Sequence, residues 1–197
     1  MVMGSRDIKC VVVGDGGVGK TSMLLSYTTG DFMMEYVPTV FDTFSVTMDM
    51  NNQSCNVGLY DTAGQEAYDT LRTLVYYDTD IFVVCFSVAR PDSFENVRSK
   101  WIPELKVYRP KARFILVGTQ VDLRDENMTE DNDHEFIGKR QGTKLSLRIG
   151  AEGYYECSAL TRVGLTNVFD KAVMAVLRPK RRIKLWRSFR SVVGMYK

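Results

Sequence analysis

Short apolar runs rich in β-branched residues alternate along the chain with longer segments of helical periodicity. The apolar runs predict six strands, at residues 8–13, 44–50, 55–60, 81–87, 114–118 and 154–157. The segments between them predict about five helices, at residues 20–27, 69–77, 92–108, 138–149 and 165–177. Strands alternating with helices are typical of an α/β fold with a mostly parallel sheet. Asn51 and Asn52 separate two adjacent strands and predict one antiparallel hairpin.

Two polar stretches mark the organisation of the chain. Pro179 ends the last predicted helix, because proline has no amide hydrogen to donate and clashes with the preceding turn. We therefore expect one domain over residues 1–177 and a tail over residues 178–197. Six of the eleven residues from 125 to 135 are acidic, which predicts a solvated excursion rather than a core element.

The composition narrows the class of protein. The 197 residues are 45% hydrophobic and 25% charged, as in an ordinary globular domain. The apolar runs are too short for a spanning helix, and the first residues lack a signal-peptide core, so we expect neither membrane insertion nor secretion. Residues 1–170 carry 17 basic and 24 acidic side chains, whereas residues 171–197 carry nine basic and no acidic ones. A mildly acidic body therefore ends in a basic tail.

The cysteines carry no sign of metal chemistry. Cys10, Cys55, Cys85 and Cys157 stand singly, and His134 is the one histidine. Because a zinc site needs clustered ligands, none is expected. We interpret the four thiols as buried and reduced.

The clearest chemical signal is the segment GDGGVGKT at residues 14–21, which lies between a predicted strand and a predicted helix. Its glycines let successive amide hydrogens point into an anion-sized hollow, to which the helix N-terminus adds partial positive charge. Lys20 is predicted to neutralise the β- and γ-phosphates, and Thr21 to offer its hydroxyl to Mg²⁺. The predicted nucleotide contacts here are Gly14, Asp15, Gly16, Gly17, Val18, Gly19, Lys20, Thr21 and Ser22.

A second constellation, DTAGQE, begins at Asp61 after the third strand. An acidic residue at a strand end can hold a magnesium-bound water in phosphoryl transfer, which makes Asp61 a predicted metal site. Gly64 is predicted to place its amide on the terminal phosphate, and Gln65 to orient the attacking water. Lys20, Gly64 and Gln65 are the predicted catalytic residues.

Two further segments follow the fifth and sixth strands, where open α/β sheets bind ligands. The Asp122 carboxylate can accept two hydrogen bonds from guanine and has no matching partner on adenine, which predicts GTP rather than ATP. The Ala159 amide is predicted to reach the guanine oxygen, and Gln120 to lie over the ring. The predicted base contacts are Thr119, Gln120, Asp122, Ser158, Ala159 and Leu160.

Together these motifs resemble those of a small GTPase of the Rho family, closest to its Rac-type branch. GDGGVGKTS, YVPTVFDTF, DTAGQEAYDTLR, KWIPELK, VGTQVDLRD and ECSALT occur in family order. The resemblance implies the P-loop GTPase (Ras-like) fold and a switch that binds and hydrolyses GTP to GDP with Mg²⁺. It also implies that Thr39 joins Thr21 and Asp61 at the metal, with Tyr36 beside the phosphates and Phe32 beside the base.

The resemblance extends to partners. Effectors would bind through residues 36–44 and 65–72, exchange factors would act on both loops, and the acidic insert would lie near residues 125–142. No arginine occurs in residues 31–42, so we expect slow intrinsic hydrolysis and an activating protein that supplies one. We expect a monomer that signals to the actin cytoskeleton, cell polarity or membrane traffic, without nucleic-acid binding.

The tail departs from the family pattern, which ends in a prenylated cysteine box. The sequence has no cysteine after Cys157, so we expect no prenylation. Residues 180–190 are basic, aromatic and amphipathic, which favours an anionic membrane surface. A helix that docks on a partner or on its own domain, and a solvated or nuclear-targeting basic run, remain alternatives. We expect a cytoplasmic protein, peripheral on the plasma membrane inner face or on endomembranes.

Two other functions are compatible with parts of the pattern. One is a nucleotide-loaded scaffold whose hydrolysis is too slow to matter. The other is a P-loop kinase or ATPase, which Asp122 and Ala159 disfavour. Stimulated single-turnover hydrolysis separates the first from a switch, and nucleotide competition separates the second.

Overall fold

A computed structural model describes residues 5–32, 41–50, 52–127, 129 and 135–179. Six strands of these ranges form one sheet, in the order β2-β3-β1-β4-β5-β6. Their bounds are β1 Arg6–Gly14, β2 Phe41–Met50, β3 Gln53–Thr62, β4 Ile81–Ser87, β5 Arg113–Thr119 and β6 Tyr154–Glu156. β2 and β3 are antiparallel, and the other neighbouring strands are parallel. The predicted fold class and its single hairpin are confirmed.

Six helices accompany the sheet within the described ranges. Five are the predicted ones: α1 Lys20–Thr28, α2 Asp69–Val75, α3, α5 Lys139–Ile149 and α6 Leu165–Leu177. α3 begins as Pro91–Asn96, passes through a π-helical turn at Val97–Trp101 and ends as Ile102–Tyr108. A 3₁₀ turn, Glu66–Tyr68, precedes α2.

The sixth helix, α4 Val121–Asn127, corrects the sequence analysis. Residues 125–127, the start of the predicted solvated stretch, are the exposed end of this helix, whose formation was not predicted. Acidic residues suit the first turn of a helix because its N-terminus carries partial positive charge, and α4 has Asp122 there. Most of the remaining acidic stretch, residues 128 and 130–134, lies outside the described residues.

The sheet separates two hydrophobic cores. Along β1, Ile8, Cys10 and Val12 pack with α1 and α6, whereas Val11 and Val13 pack against α3 on the other face. β4 divides its residues in the same way, and every one of its seven residues is buried. A strand covered on both faces reads as a continuous apolar run, which explains why its predicted bounds match the observed ones.

All four cysteines are buried and free, as interpreted from the sequence. Burial raises the pKa of the Cys10 and Cys157 thiols to about 12, which keeps them protonated and unreactive at neutral pH. In the described part of the chain, no helix has the length and apolar character needed to cross a membrane.

Candidate functional site

The predicted phosphate loop, residues 15–19, joins β1 to the N-terminus of α1. Gly19 caps this helix with a φ of 83°, a left-handed conformation that glycine adopts without strain. The Met23 amide donates to the Gly19 carbonyl at 2.9 Å, which starts the helical hydrogen bonding. No described side chain caps α1 and its first turn has no acidic residue, so the first helical amides are left for an anion.

Lys20 lies beneath this loop with only 6% of its surface exposed. Its Nζ donates to the carbonyl oxygens of Gly14 and Asp15, each at 2.8 Å. Burial lowers the pKa of Lys20, and the nearby Asp61 carboxylate opposes that shift. The backbone carbonyls of the loop therefore fix the position of the amino group of Lys20, the residue predicted to bind phosphate.

The predicted metal residues Thr21 and Asp61 meet although 40 positions separate them. The Thr21 hydroxyl donates to Asp61 Oδ2 at 2.5 Å, and Asp61 is fully buried at the end of β3. A hydroxyl and a carboxylate are hard oxygen donors that suit Mg²⁺ together with substrate phosphates. No described group of three or more His, Cys, Asp or Glu side chains could hold a metal by itself. Thr39 and Tyr36 lie outside the described residues.

Gly64 and Gln65 lie against the same loop. A Cβ on Gly64 would overlap the backbone of Gly14, Asp15 and Gly16, so only glycine allows this approach. Gln65 Cγ is 3.7 Å from the position of a Cβ on Gly16. The structure thus brings the three predicted catalytic residues, Lys20, Gly64 and Gln65, to one short stretch of loop backbone.

A neighbouring pocket of about 200 Å³ contains most of the predicted base contacts. Gln120, at a φ of 58°, packs its side chain against Gly19, and Phe32 is 37% exposed at this pocket. Asp122 contributes a carboxylate to an otherwise mainly apolar lining. The pocket is lined by Gly19, Ser22, Met23, Phe32, Thr119, Gln120, Asp122, Leu123, Cys157, Ala159 and Leu160.

The side chains of three predicted nucleotide contacts, Thr119, Val18 and Ser158, pack or form hydrogen bonds within the protein. The Thr119 hydroxyl lies 2.6 Å from the Val18 carbonyl and 2.8 Å from that of Phe86, which ties the phosphate loop to β4. Val18 itself is buried in the core. The Ser158 hydroxyl accepts the Thr161 amide at 3.0 Å and so shapes the loop that carries Ala159. Any nucleotide contact of Val18 is therefore left to its backbone.

Sequence reasoning missed how the phosphate loop is anchored. The Asp15 carboxylate accepts two hydrogen bonds of 2.7 Å from α3, from Asn96 Nδ2 and from Trp101 Nε1. Residues five apart point about 140° apart on an ideal α-helix, but the π-helical turn at Val97–Trp101 brings them to one face. The motifs that contain Asp15 and Trp101, GDGGVGKTS and KWIPELK, were identified in the sequence, but nothing in the sequence indicates that the two side chains are in contact.

Arg72, the last residue of the predicted effector segment at residues 65–72, turns into the protein interior. Its side chain is fully buried, and it donates to Glu104 and to the Ala63 carbonyl. Its guanidinium also lies 4.7 Å from the centre of the Trp101 ring. These contacts of Arg72 hold α2 on α3. Because its side chain is buried, Arg72 does not belong to the surface that a partner would contact.

Glu156 links β6 to α4 directly before the Ser158–Ala159 loop. Arg124 donates to both of its carboxylate oxygens at 3.0 Å, and the Tyr154 hydroxyl donates at 2.7 Å. Burial would raise the pKa of Glu156, but the hydrogen bonds from Arg124 and Tyr154 outweigh burial and lower the pKa below its usual 4.5. The pair joins α4, which contains Asp122, to β6, which precedes the Ser158–Ala159 loop.

We expect Glu156→Gln to reduce the loss of stability on acidification. A carboxyl whose pKa is lower in the folded state stabilises the fold above its unfolded pKa, and that contribution is lost as the pH falls through the folded value. Urea unfolding at pH 7 and pH 3 should show a smaller difference for Glu156→Gln than for the wild type. Glu95→Gln, an exposed substitution on α3, should behave like the wild type; equal differences for all three proteins would refute this role of Glu156.

The comparison with protein families agrees with this geometry. The family model described as Ras family matches residues 9–178. The chain belongs to the Ras family. As a Ras-family small GTPase, it has a domain that binds GTP and GDP, typically with Mg²⁺, and hydrolyses GTP. Exchange factors, activating proteins and effectors are the general classes of partner of this family.

Proposed function

We propose that this Ras-family protein is a Rho-type molecular switch, closest to the Rac-type branch. The observation that carries the proposal is the meeting of Lys20, Thr21, Asp61 and Gln65 around one glycine loop, beside a pocket that ends at Asp122. The Rho-type motifs and the acidic stretch near residues 125–142 support the branch. The switch would act on the actin cytoskeleton, cell polarity or membrane traffic.

The roles of the site residues follow from their positions. The loop amides and Lys20 neutralise the phosphates, and the Gly64 amide contacts the terminal phosphate. Gln65 orients a water towards the γ-phosphorus, since its amide can both donate and accept. Thr21, Asp61 and Thr39 would hold Mg²⁺, which would supply positive charge that offsets the negative charge of the phosphates. Phe32 and Tyr36 would flank the base and the phosphates, respectively.

The base pocket supports a preference for guanine. The Asp122 carboxylate accepts from the two neighbouring guanine donors, and the Ala159 amide donates to the guanine oxygen. The Ser26 hydroxyl donates to the Ala159 carbonyl at 2.8 Å, which holds this loop against α1. Gln120 covers one face of the ring from its position on Gly19.

An exposed apolar surface supports effector binding near the phosphates. Leu71 of the α2 helix is 54% exposed, and Phe41 of β2 is 49% exposed. Large apolar side chains on a surface mark interaction sites when they cluster. We assign the effector surface to residues 36–44 and the exposed side chains of residues 65–71.

Single-turnover hydrolysis tests the switch against a nucleotide-loaded scaffold. The chain is loaded with GTP, and phosphate release is followed with and without an activating protein. A switch shows slow release that accelerates by about 10³-fold or more. A rate that stays unchanged with several Rho-type activating proteins would favour the scaffold.

The edge of the sheet opposite the phosphates supports attachment to an anionic membrane. A pocket there is lined by five basic side chains and one acidic one, Asp80. The basic residues come from the starts of β1 and β5 and from the segments that follow α3 and α6, namely Arg6, Arg109, Lys111, Arg113 and Arg178. The basic residues 180–190 follow directly in sequence. We therefore propose a peripheral membrane protein whose basic edge and tail bind acidic lipid together.

We expect the full chain to cosediment with phosphatidylserine vesicles and to be released by salt. Reversing Arg181 and Arg182 to Glu should weaken binding at least ~10-fold, since each basic residue contributes about 1 kcal/mol at such a surface. Arg140→Glu with Lys144→Glu changes the same charge on the exposed face of α5 and should have less effect. Equal effects would mean attraction by net charge alone, and no binding would refute the attachment.

A further inference from the structure

Arg90 lies beside the phosphate loop, although 74 positions separate it from Gly16. It immediately precedes α3, and its Nη1 donates to the Gly16 carbonyl at 2.8 Å. The same nitrogen is 3.2 Å from the position of a Cβ on Gly17. Arg90 is exposed on the side of the loop that faces solvent. The loop therefore has one cation beneath it, Lys20, and a second at its outer face.

The backbone of Arg90 is held rigidly. Its amide donates to the Ser87 carbonyl at 3.1 Å, at the end of β4. Its carbonyl accepts from the Ser93 amide at 3.0 Å and from the Ser93 hydroxyl at 2.7 Å. Ser93 is fully buried, so this turn is part of the core and not a free loop. The Arg90 side chain therefore extends from a backbone position that is anchored to the core.

Gln65 approaches Gly16 from a different segment of the chain. Its Cγ is 3.7 Å from the position of a Cβ on Gly16, whose carbonyl accepts from Arg90. A guanidinium has five N–H donors, and the Gly16 contact uses one of them. Arg90 thus has further donors next to the place where the terminal phosphate and the attacking water are proposed to meet.

We propose that Arg90 is a further catalytic residue, an arginine that this chain supplies to its own GTP hydrolysis. In that reaction the water oxygen bonds to the γ-phosphorus, and the bond from that phosphorus to the β–γ bridging oxygen breaks. The electron pair stays on the leaving GDP, and the proton of the water passes to the released phosphate. Negative charge grows on the bridging and γ-oxygens, where a guanidinium stabilises it. This inference rests on the proposed function.

The expectation of slow hydrolysis came from the absence of arginine in residues 31–42. Arg90 lies outside that loop: it immediately precedes α3 and contacts the Gly16 carbonyl, from where it is proposed to reach the phosphates. An arginine in cis raises intrinsic GTP hydrolysis by roughly 20- to 30-fold between known classes of GTPase. We therefore expect intrinsic turnover above that of a related protein without such a residue.

The test is single-turnover hydrolysis by the full GTP-loaded chain. We expect Arg90→Ala to lower the intrinsic rate about tenfold or more, by the same comparison. Arg90→Lys should give an intermediate rate, because lysine keeps the charge but not the forked donors. Arg98→Ala, an exposed arginine farther along α3, is the matched control and should hydrolyse at the wild-type rate.

Two further readouts separate catalysis from support of the loop. GTP dissociation should stay within about threefold of the wild type, on the scale of one exposed hydrogen bond. The rate stimulated by an activating protein should fall much less than the intrinsic rate, because that protein brings its own arginine. An unchanged intrinsic rate would overturn the proposal, as would a parallel fall in both rates with faster GTP dissociation. A wild-type chain that never hydrolyses GTP would instead refute the proposed function.

Discussion

Gln65→Leu is expected to abolish hydrolysis stimulated by an activating protein while GTP binding persists. The Gln65 amide is proposed to hold the attacking water, and leucine has a similar size but neither donates nor accepts a hydrogen bond. Loss of an oriented nucleophile costs at least ~10²-fold in rate. Binding should be spared because Lys20 and the loop amides are proposed to hold the phosphates, and Lys20 is positioned by the Gly14 and Asp15 carbonyls rather than by the Gln65 side chain.

The measurement is single-turnover phosphate release with a saturating activating protein, beside GTP affinity by titration. Gln53→Leu is the matched control, since Gln53 begins β3 at the opposite end of the strand from Asp61. It should turn over like the wild type. Equal turnover of Gln65→Leu and the wild type would remove Gln65 from the mechanism.

The second large effect is expected at Asp122→Ala, which should lose both GTP affinity and guanine selectivity. The carboxylate is proposed to accept two hydrogen bonds, each to a charged acceptor and worth about 1.5–3 kcal/mol. Their loss corresponds to roughly 10²- to 10⁴-fold in Kd. Affinity for ATP should change little, because adenine offers no matching donors to the carboxylate.

Equilibrium competition between fluorescent GDP and unlabelled GTP or ATP measures both quantities. Glu126→Ala removes an exposed carboxylate from the same helix, α4, and controls for a general loss of negative charge. It should keep the wild-type preference. An Asp122→Ala protein that still prefers GTP by the wild-type factor would place guanine recognition elsewhere, for example on the Ala159 loop.

The strands and the phosphate loop could be predicted because their signals are local. β4 and α6 were predicted at their observed bounds, since an unbroken apolar run and a proline after a helix need no distant partner. α4 was missed because a short acidic segment has a weak helical pattern. The helix follows β5, and Val121 in its first turn is buried in the core, a contact that the sequence pattern does not show.

The site shows the same division. The sequence by itself predicted which residues bind phosphate, metal and base, because each motif has the donors and acceptors that its ligand needs. Tertiary structure decided which of them meet: Thr21 with Asp61, Gly64 with the loop, and Asp15 with Trp101. It also placed the Arg72 side chain in the interior and brought Arg90 to the Gly16 carbonyl. Such contacts join segments tens of residues apart, and only the packing of the sheet and its helices sets those distances.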